Sequence, residues 1–100
     1  MTQLRWESRA SIDREDIFIW LSRHAGCQVA IAADDKLSRM AAILIDNPQA
    51  GGVAGKAQNQ RKLVVPHFPF ILVYLLVSDE VRILRVLHTS RRLTSRWLAR

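Results

Sequence analysis

Seven arginines and lysines and one histidine stand together in the second half of this 100-residue chain: Lys56, Arg61, Lys62, Arg82, Arg85, His88, Arg91 and Arg92. Side chains of this kind bind phosphates. With a histidine among them they also hold the parts for cleavage at a ribose 2′-hydroxyl, which needs a base, a charge stabiliser and an acid. Elsewhere the reactive residue types are scattered. His24, His67 and His88 are far apart in sequence, with no second ligand at helical or strand spacing, so no metal site is expected. The pairs Glu15-Asp16 and Asp34-Asp35 fall in helical stretches and read as solvated faces. No serine or cysteine stands in a nucleophile motif. Gly55-Lys56 is followed by Ala57, so the hydroxyl with which a phosphate-binding loop holds magnesium is missing. No cofactor is expected.

Charge is unevenly shared. The chain carries +6 overall; residues 1–50 hold six Lys/Arg against seven Asp/Glu, residues 51–100 nine against two. Such asymmetry fits an anionic partner, whether nucleic acid, ribosome or an acidic protein segment. The length suits a single domain, 1–100, and 49% hydrophobic residues suffice for one modest core. Cys27 has no second cysteine to pair with, which fits a reducing cytoplasm; it is expected to pack as a small buried hydrophobe.

The elements that must position these groups follow from the hydrophobic pattern. The run FPFILVYLLV, Phe68 to Val77, carries no charge. A membrane helix needs about 18–20 apolar residues. Leu63 to Val77 has fifteen, broken by Pro66, His67 and Pro69. Met1–Trp6 has no apolar region of a signal peptide. The prolines and the β-branched Ile71, Val73 and Val77 point instead to a strand buried on both faces. Ser78-Asp79-Glu80 supplies a turn, and VRILRVL (Val81–Leu87) a second strand of a hairpin. RKLVV (Arg61–Val65) reads as a strand before it, and QLRW (Gln3–Trp6) as a short edge strand.

A first helix is expected from Ser8 or Ser11, with Asp13, Glu15 and Asp16 in its first turn. Ile17, Trp20, Leu21 and His24 then share its inner face, and Gly26 stops it. A second helix runs from about Gln28 to Asp46. Ala30, Ala33, Leu37, Met40 and Leu44 line its inner stripe, and Asn47-Pro48 ends it. Residues 49–60 read as a flexible loop. The fold class is therefore α+β: an N-terminal helical hairpin packed on a small antiparallel sheet, with a short C-terminal basic helix or tail, Thr89–Arg100. The hairpin covers one face of the sheet, so the tail and a partner are expected to cover the other. Strand parity places Arg82 and His88 on one face of the last strand and Arg85 on the other, where it is expected to pair with an acidic helix residue.

The block RKLVVPHFPFILVYLL…VRILRVLHTSRR resembles the sheet of the RelE/ParE toxin superfamily, and the ParE branch in particular. The resemblance is densest over residues 61–92; Trp6, Ala10, Asp16-Ile17 and Trp20-Leu21 are similar to the family's first helix. It implies the toxin of a bacterial type II toxin–antitoxin pair, acting in the cytoplasm and wrapped by an acidic antitoxin in a hetero-oligomer. RelE-branch members cut messenger RNA on the ribosome. By this resemblance their strand lysine and arginine fall at Val64 and Pro66, their later arginine at Arg91 and their tyrosine at Trp97, an indole that cannot exchange a proton as a phenol does. These losses favour the ParE branch, whose members inhibit DNA gyrase and lack that set; the alternative is a ribosome-dependent endoribonuclease.

Carried onto this chain, the resemblance implies target contacts by Arg91, Arg92, Arg96 and Trp97. Antitoxin contacts are expected from Arg61, Lys62, Tyr74 and Arg85. For a nuclease, the catalytic candidates are His67, Arg82, His88 and Arg91. A plain nucleic-acid-binding domain would explain the basic half but not the doubly apolar strand. It would also lack a stacking surface, since Phe68 and Phe70 flank Pro69 at a corner and Trp97 sits in the tail.

Overall fold

A computed structural model describes residues 2–54 and 59–89. In chain order the elements are β1 (Gln3–Trp6), α1 (Ser8–His24), α2 (Cys27–Asp46), β2 (Gly52–Val53), β3 (Gln60–Val65), β4 (Phe70–Val77) and β5 (Glu80–His88). One sheet holds all five strands in the order β1-β5-β4-β3-β2. The expected hairpin is there, with Ile71 opposite Leu87 and Leu76 opposite Val81. The sheet is mixed rather than purely antiparallel, because β1 runs parallel to β5, Leu4 beside Val81. The stretch expected to be a loop also contributes β2, which pairs Gly52 with Lys62 and Val53 with Arg61. The expected C-terminal helix or tail lies outside the described residues.

α1 starts without the expected side-chain cap. Glu7 precedes it in extended conformation, and Asp13, Glu15 and Asp16 lie beyond the first turn. The Glu7 N–H donates instead to the Ile83 carbonyl at 2.9 Å, tying the helix start to β5. Gly26, at φ 97°, makes the reversal into α2, a left-handed conformation that a side chain would strain. The inner stripe of α2 is as its spacing predicts: Ala30, Ala33, Leu37, Met40 and Leu44 are all buried. Cys27 is exposed at the start of α2, not buried. α1 turns Ile17 and Leu21 onto the core, but Trp20 and His24 are exposed, which narrows its expected inner face.

The main core lies between helices and sheet, where Ala33, Leu37 and Leu44 meet Phe70, Leu72, Tyr74 and Ile83. On the opposite face Ile71, Val73 and Leu87 form a second buried cluster. β4 is thus apolar on both faces, as its composition demands. β5 does not keep one parity. Val73 pairs with Arg85 but Tyr74 with Ile83, so Leu84 is an extra residue, a β-bulge. Val81 and Ile83 face the helices before it; Val86 faces them after it. Arg82 and His88 therefore lie on opposite faces, contrary to simple alternation.

Tyr74 ties the loop after α2 to the sheet. Its hydroxyl donates to the Pro48 carbonyl and accepts from the Gly51 N–H, both at 2.9 Å. Arg61 Nη1 donates to the Gly51 carbonyl at 2.7 Å. A Cβ at Gly51 would run into the Lys62 carbonyl and lie 2.7 Å from the Tyr74 hydroxyl, so no other residue fits. Burial raises the Tyr74 pKa, against smaller opposing effects of the Gly51 hydrogen bond and the Arg61 charge. A raised folded pKa means stability present below the ordinary value of about 10 and lost as pH climbs from there toward the folded pKa. Tyr74→Phe is expected to cost about 1–3 kcal/mol at neutral pH, by orphaning two backbone groups. It should also flatten the loss of stability above about pH 10. Urea unfolding at pH 7 and at alkaline pH measures both effects.

Candidate functional site

β1 ends at Trp6, opposite Ile83, while β5 continues to His88. Past that point α1 lies along β5, and a groove of about 370 Å³ opens between them. Its walls are Ile17 and Trp20 from the helix and Phe70, Val86 and His88 from the sheet. Where a neighbouring strand is missing, a side chain takes its place. Asp13 Oδ2 accepts from the Val86 backbone N–H at 2.9 Å and from Arg85 Nε at 2.8 Å, and Asp13 Oδ1 accepts from Arg85 Nη2 at 3.2 Å. One carboxylate thus neutralises the arginine and satisfies the open edge of the sheet. The expected acidic partner of Arg85 is Asp13.

Aromatic rings shape the end of the groove. Trp20 and His24 stack with centroids 4.2 Å apart, and His24 Nδ1 lies 2.8 Å from the Trp20 carbonyl. His88 meets Trp20 at 6.3 Å and Phe70 at 5.6 Å, edge-on in both cases. A second clamp holds α1 from behind. Arg14 donates to both oxygens of Asp34 at 2.9 Å and to Ser38 Oγ at 3.0 Å, with its guanidinium 4.4 Å from the Trp6 ring. The i, i+4 and alternation patterns register neither clamp, because each joins residues distant in sequence.

Among the described nuclease candidates, two share one end of the sheet and Arg82 lies apart from them. His67 sits at φ 70° in the turn before β4, and His88 pairs with Phe70 at that same end of the sheet. Arg82, opposite Leu75, lies six residues back along β5, roughly 20 Å away. There it donates a hydrogen bond to Glu80, which raises its pKa. Arg91, Arg92, Arg96 and Trp97 lie outside the described residues, as does Lys56. Of the residues expected to touch an antitoxin, Tyr74 is wholly buried and has no surface to offer. Arg61 is bonded to Gly51, Arg85 to Asp13, and Lys62 sits half-buried opposite Val73. Helical spacing assigns Trp20 and His24 to the core; only their exposure beside β5 marks them as part of a groove. Among the described residues no cluster of His, Cys, Asp and Glu could hold a metal, and no helix is long and apolar enough to cross a membrane.

Comparison with known proteins places this geometry. The family model described as the ParE toxin of the type II toxin–antitoxin system parDE matches residues 4–93. Among solved structures, the chromosomal ParDE toxin–antitoxin system from P. aeruginosa is similar in fold. The TM-score is 0.80 at 23% identity, over 90% of this chain and 98% of the other. No curated protein matches.

The Asp13 carboxylate sets a stability test. Its side chain and that of Arg85 are mostly buried. Asp13→Ala strands both the guanidinium and the Val86 N–H, and is expected to cost about 2–4 kcal/mol. Asp13→Asn keeps an acceptor for the backbone and should cost clearly less. Chemical denaturation of the two variants gives the comparison; equal losses would show that the backbone bond contributes nothing.

Proposed function

The chain belongs to the ParE toxin family of type II toxin–antitoxin systems, and on that premise we propose that it arrests bacterial growth by poisoning DNA gyrase and is neutralised by a cognate antitoxin. The observation that carries the choice of gyrase over messenger RNA is the separation of Arg82 from His67 and His88. Arg82 is roughly 20 Å from His88 along the strand and bonded to Glu80. The positions where the resemblance puts the RelE-branch cations hold Val64, an apolar side chain 58% exposed, and Pro66. A single transition-state donor is typically worth about 3–4 kcal/mol, a factor of some hundreds in rate. A site short of two such groups is a poor nuclease.

Inhibition by binding asks less of the geometry. It needs a basic surface for an anionic target, and residues 51–100 carry nine Lys/Arg against two Asp/Glu. Arg91, Arg92, Arg96 and Trp97 are the proposed gyrase contacts. Lys62 is the proposed antitoxin contact among the strand residues, since Arg61 and Arg85 are already engaged. Both gyrase and antitoxin place the protein in the cytoplasm, in a toxin–antitoxin hetero-oligomer when it is neutralised.

Induced expression without the antitoxin should stop bacterial growth, and the purified protein should inhibit gyrase supercoiling. Replacing Arg91, Arg92 and Arg96 together by Ala should abolish that inhibition with the thermal melt unchanged. Site-specific messenger RNA cleavage on purified ribosomes, lost in His88→Ala, would make the protein an endoribonuclease instead. Normal growth despite abundant folded protein would remove the toxin function altogether.

A further inference from the structure

The face of the sheet turned away from the helices is better covered than the described elements allow. Ile71, Val73 and Leu87 are buried there, Val73 with 0% of its surface exposed, in a cluster that contains no helix residue. Their neighbours in the ladder do not account for it. Arg85, beside Val73, turns to Asp13 at the sheet edge. Val64, beside Ile71, is 58% exposed. The cover therefore lies over β4 and β5 and stops short of β3. Residues 55–58 cannot supply it. They join β2 to β3 beside Gln60, and a loop of that length reaches out roughly 9 Å at full stretch. Ile71 lies four residues along β4 from Leu75, the partner of Gln60, which is roughly 13 Å. Met1 enters at the far end of the sheet, where Gln3 pairs with Glu80.

What remains is the C-terminal segment 90–100, which lies outside the described residues and follows Thr89 directly. The Thr89 N–H donates to the Pro69 carbonyl at 2.7 Å, so the segment departs from the end of the sheet that holds Leu87 and Ile71. Its sequence is divided as a cover requires. Leu93 and Trp97 are four residues apart, and so are Arg92 and Arg96. Positions i and i+4 share a side in a helix and in a strand alike, so either conformation separates an apolar side from a basic one. One tryptophan buries about 150–250 Å², enough to span a small cluster. We propose that the outer face of β4 and β5 is the seat of the protein's own C-terminal segment: Leu93 and Trp97 close over Ile71, Val73 and Leu87, and Arg92 and Arg96 are held outward in one row. The role of that row rests on the gyrase reading; the seat itself does not. Trp97 then serves the target site as an anchor and not as a contact. A seated segment gives up less freedom on binding, so its arginines act as one preorganised surface.

Nuclear Overhauser contacts in the full-length protein test the seat. The Trp97 indole should contact methyl groups of Val73 and Leu87. Trp97→Ala should open that face, so that amides of β4 and β5 exchange faster. It should also weaken gyrase inhibition about tenfold with every arginine in place, because the row is no longer held. Trp97→Phe keeps an apolar anchor and should recover most of both. A Trp97 ring that touches none of those methyls in the wild-type protein would overturn the proposal. So would contacts that arise only between differently labelled copies, since a second chain would then be the cover. If the contacts are found in a protein that leaves gyrase untouched, the seat stands and the gyrase reading alone falls.

Discussion

Asp13 joins segments 72 residues apart, and the arrangement of the groove depends on it. β5 outruns β1, which leaves a row of backbone groups at the edge of the sheet with no strand beside them. In a small domain such an edge would attract other chains. Here α1 covers it, and the Asp13 carboxylate replaces the missing ladder bond at Val86. The same carboxylate neutralises Arg85, the neighbour of Val86 on that edge. Edge protection, charge compensation and the docking angle of α1 are therefore one feature. Arg14 completes it from the other side, by holding α1 to α2 through Asp34 and to β1 through the Trp6 ring.

Local patterns carried most of the architecture. The stripe of α2 and the unbroken apolar run of β4 each have one stable solution, and the structure adopts both. Misreadings arose where a non-local contact overruled a local rule. The parity of β5 holds up to Leu84, where an inserted residue moves every later side chain to the other face; nothing in VRILRVL marks that position. The direction of β1 is equally silent in four residues, since it follows from how the helical hairpin returns the chain. Trp20 and His24 fit a helical stripe, yet both are exposed, and Trp20 lies at the groove beside His88.

The candidate site was less legible than the fold, for a related reason. Counting cations located the basic half correctly but could not say which were already engaged. Arg61, Arg82 and Arg85 each spend their charge or hydrogen bonds on Gly51, Glu80 and Asp13. Tyr74, expected to touch an antitoxin, is wholly buried. Its two backbone partners make it a bolt of the interior instead.

The parallel pairing of β1 with β5 also bears on how the protein is made. β1 leaves the ribosome long before β5, and Leu4 finds its neighbour only once Val81 has been synthesised. The Asp13 bonds wait longer still, for Arg85 and Val86. Helices can form early from local contacts, but the groove and the closed sheet form only once β5 has been made. A translation product that stops short of β5 cannot assemble them.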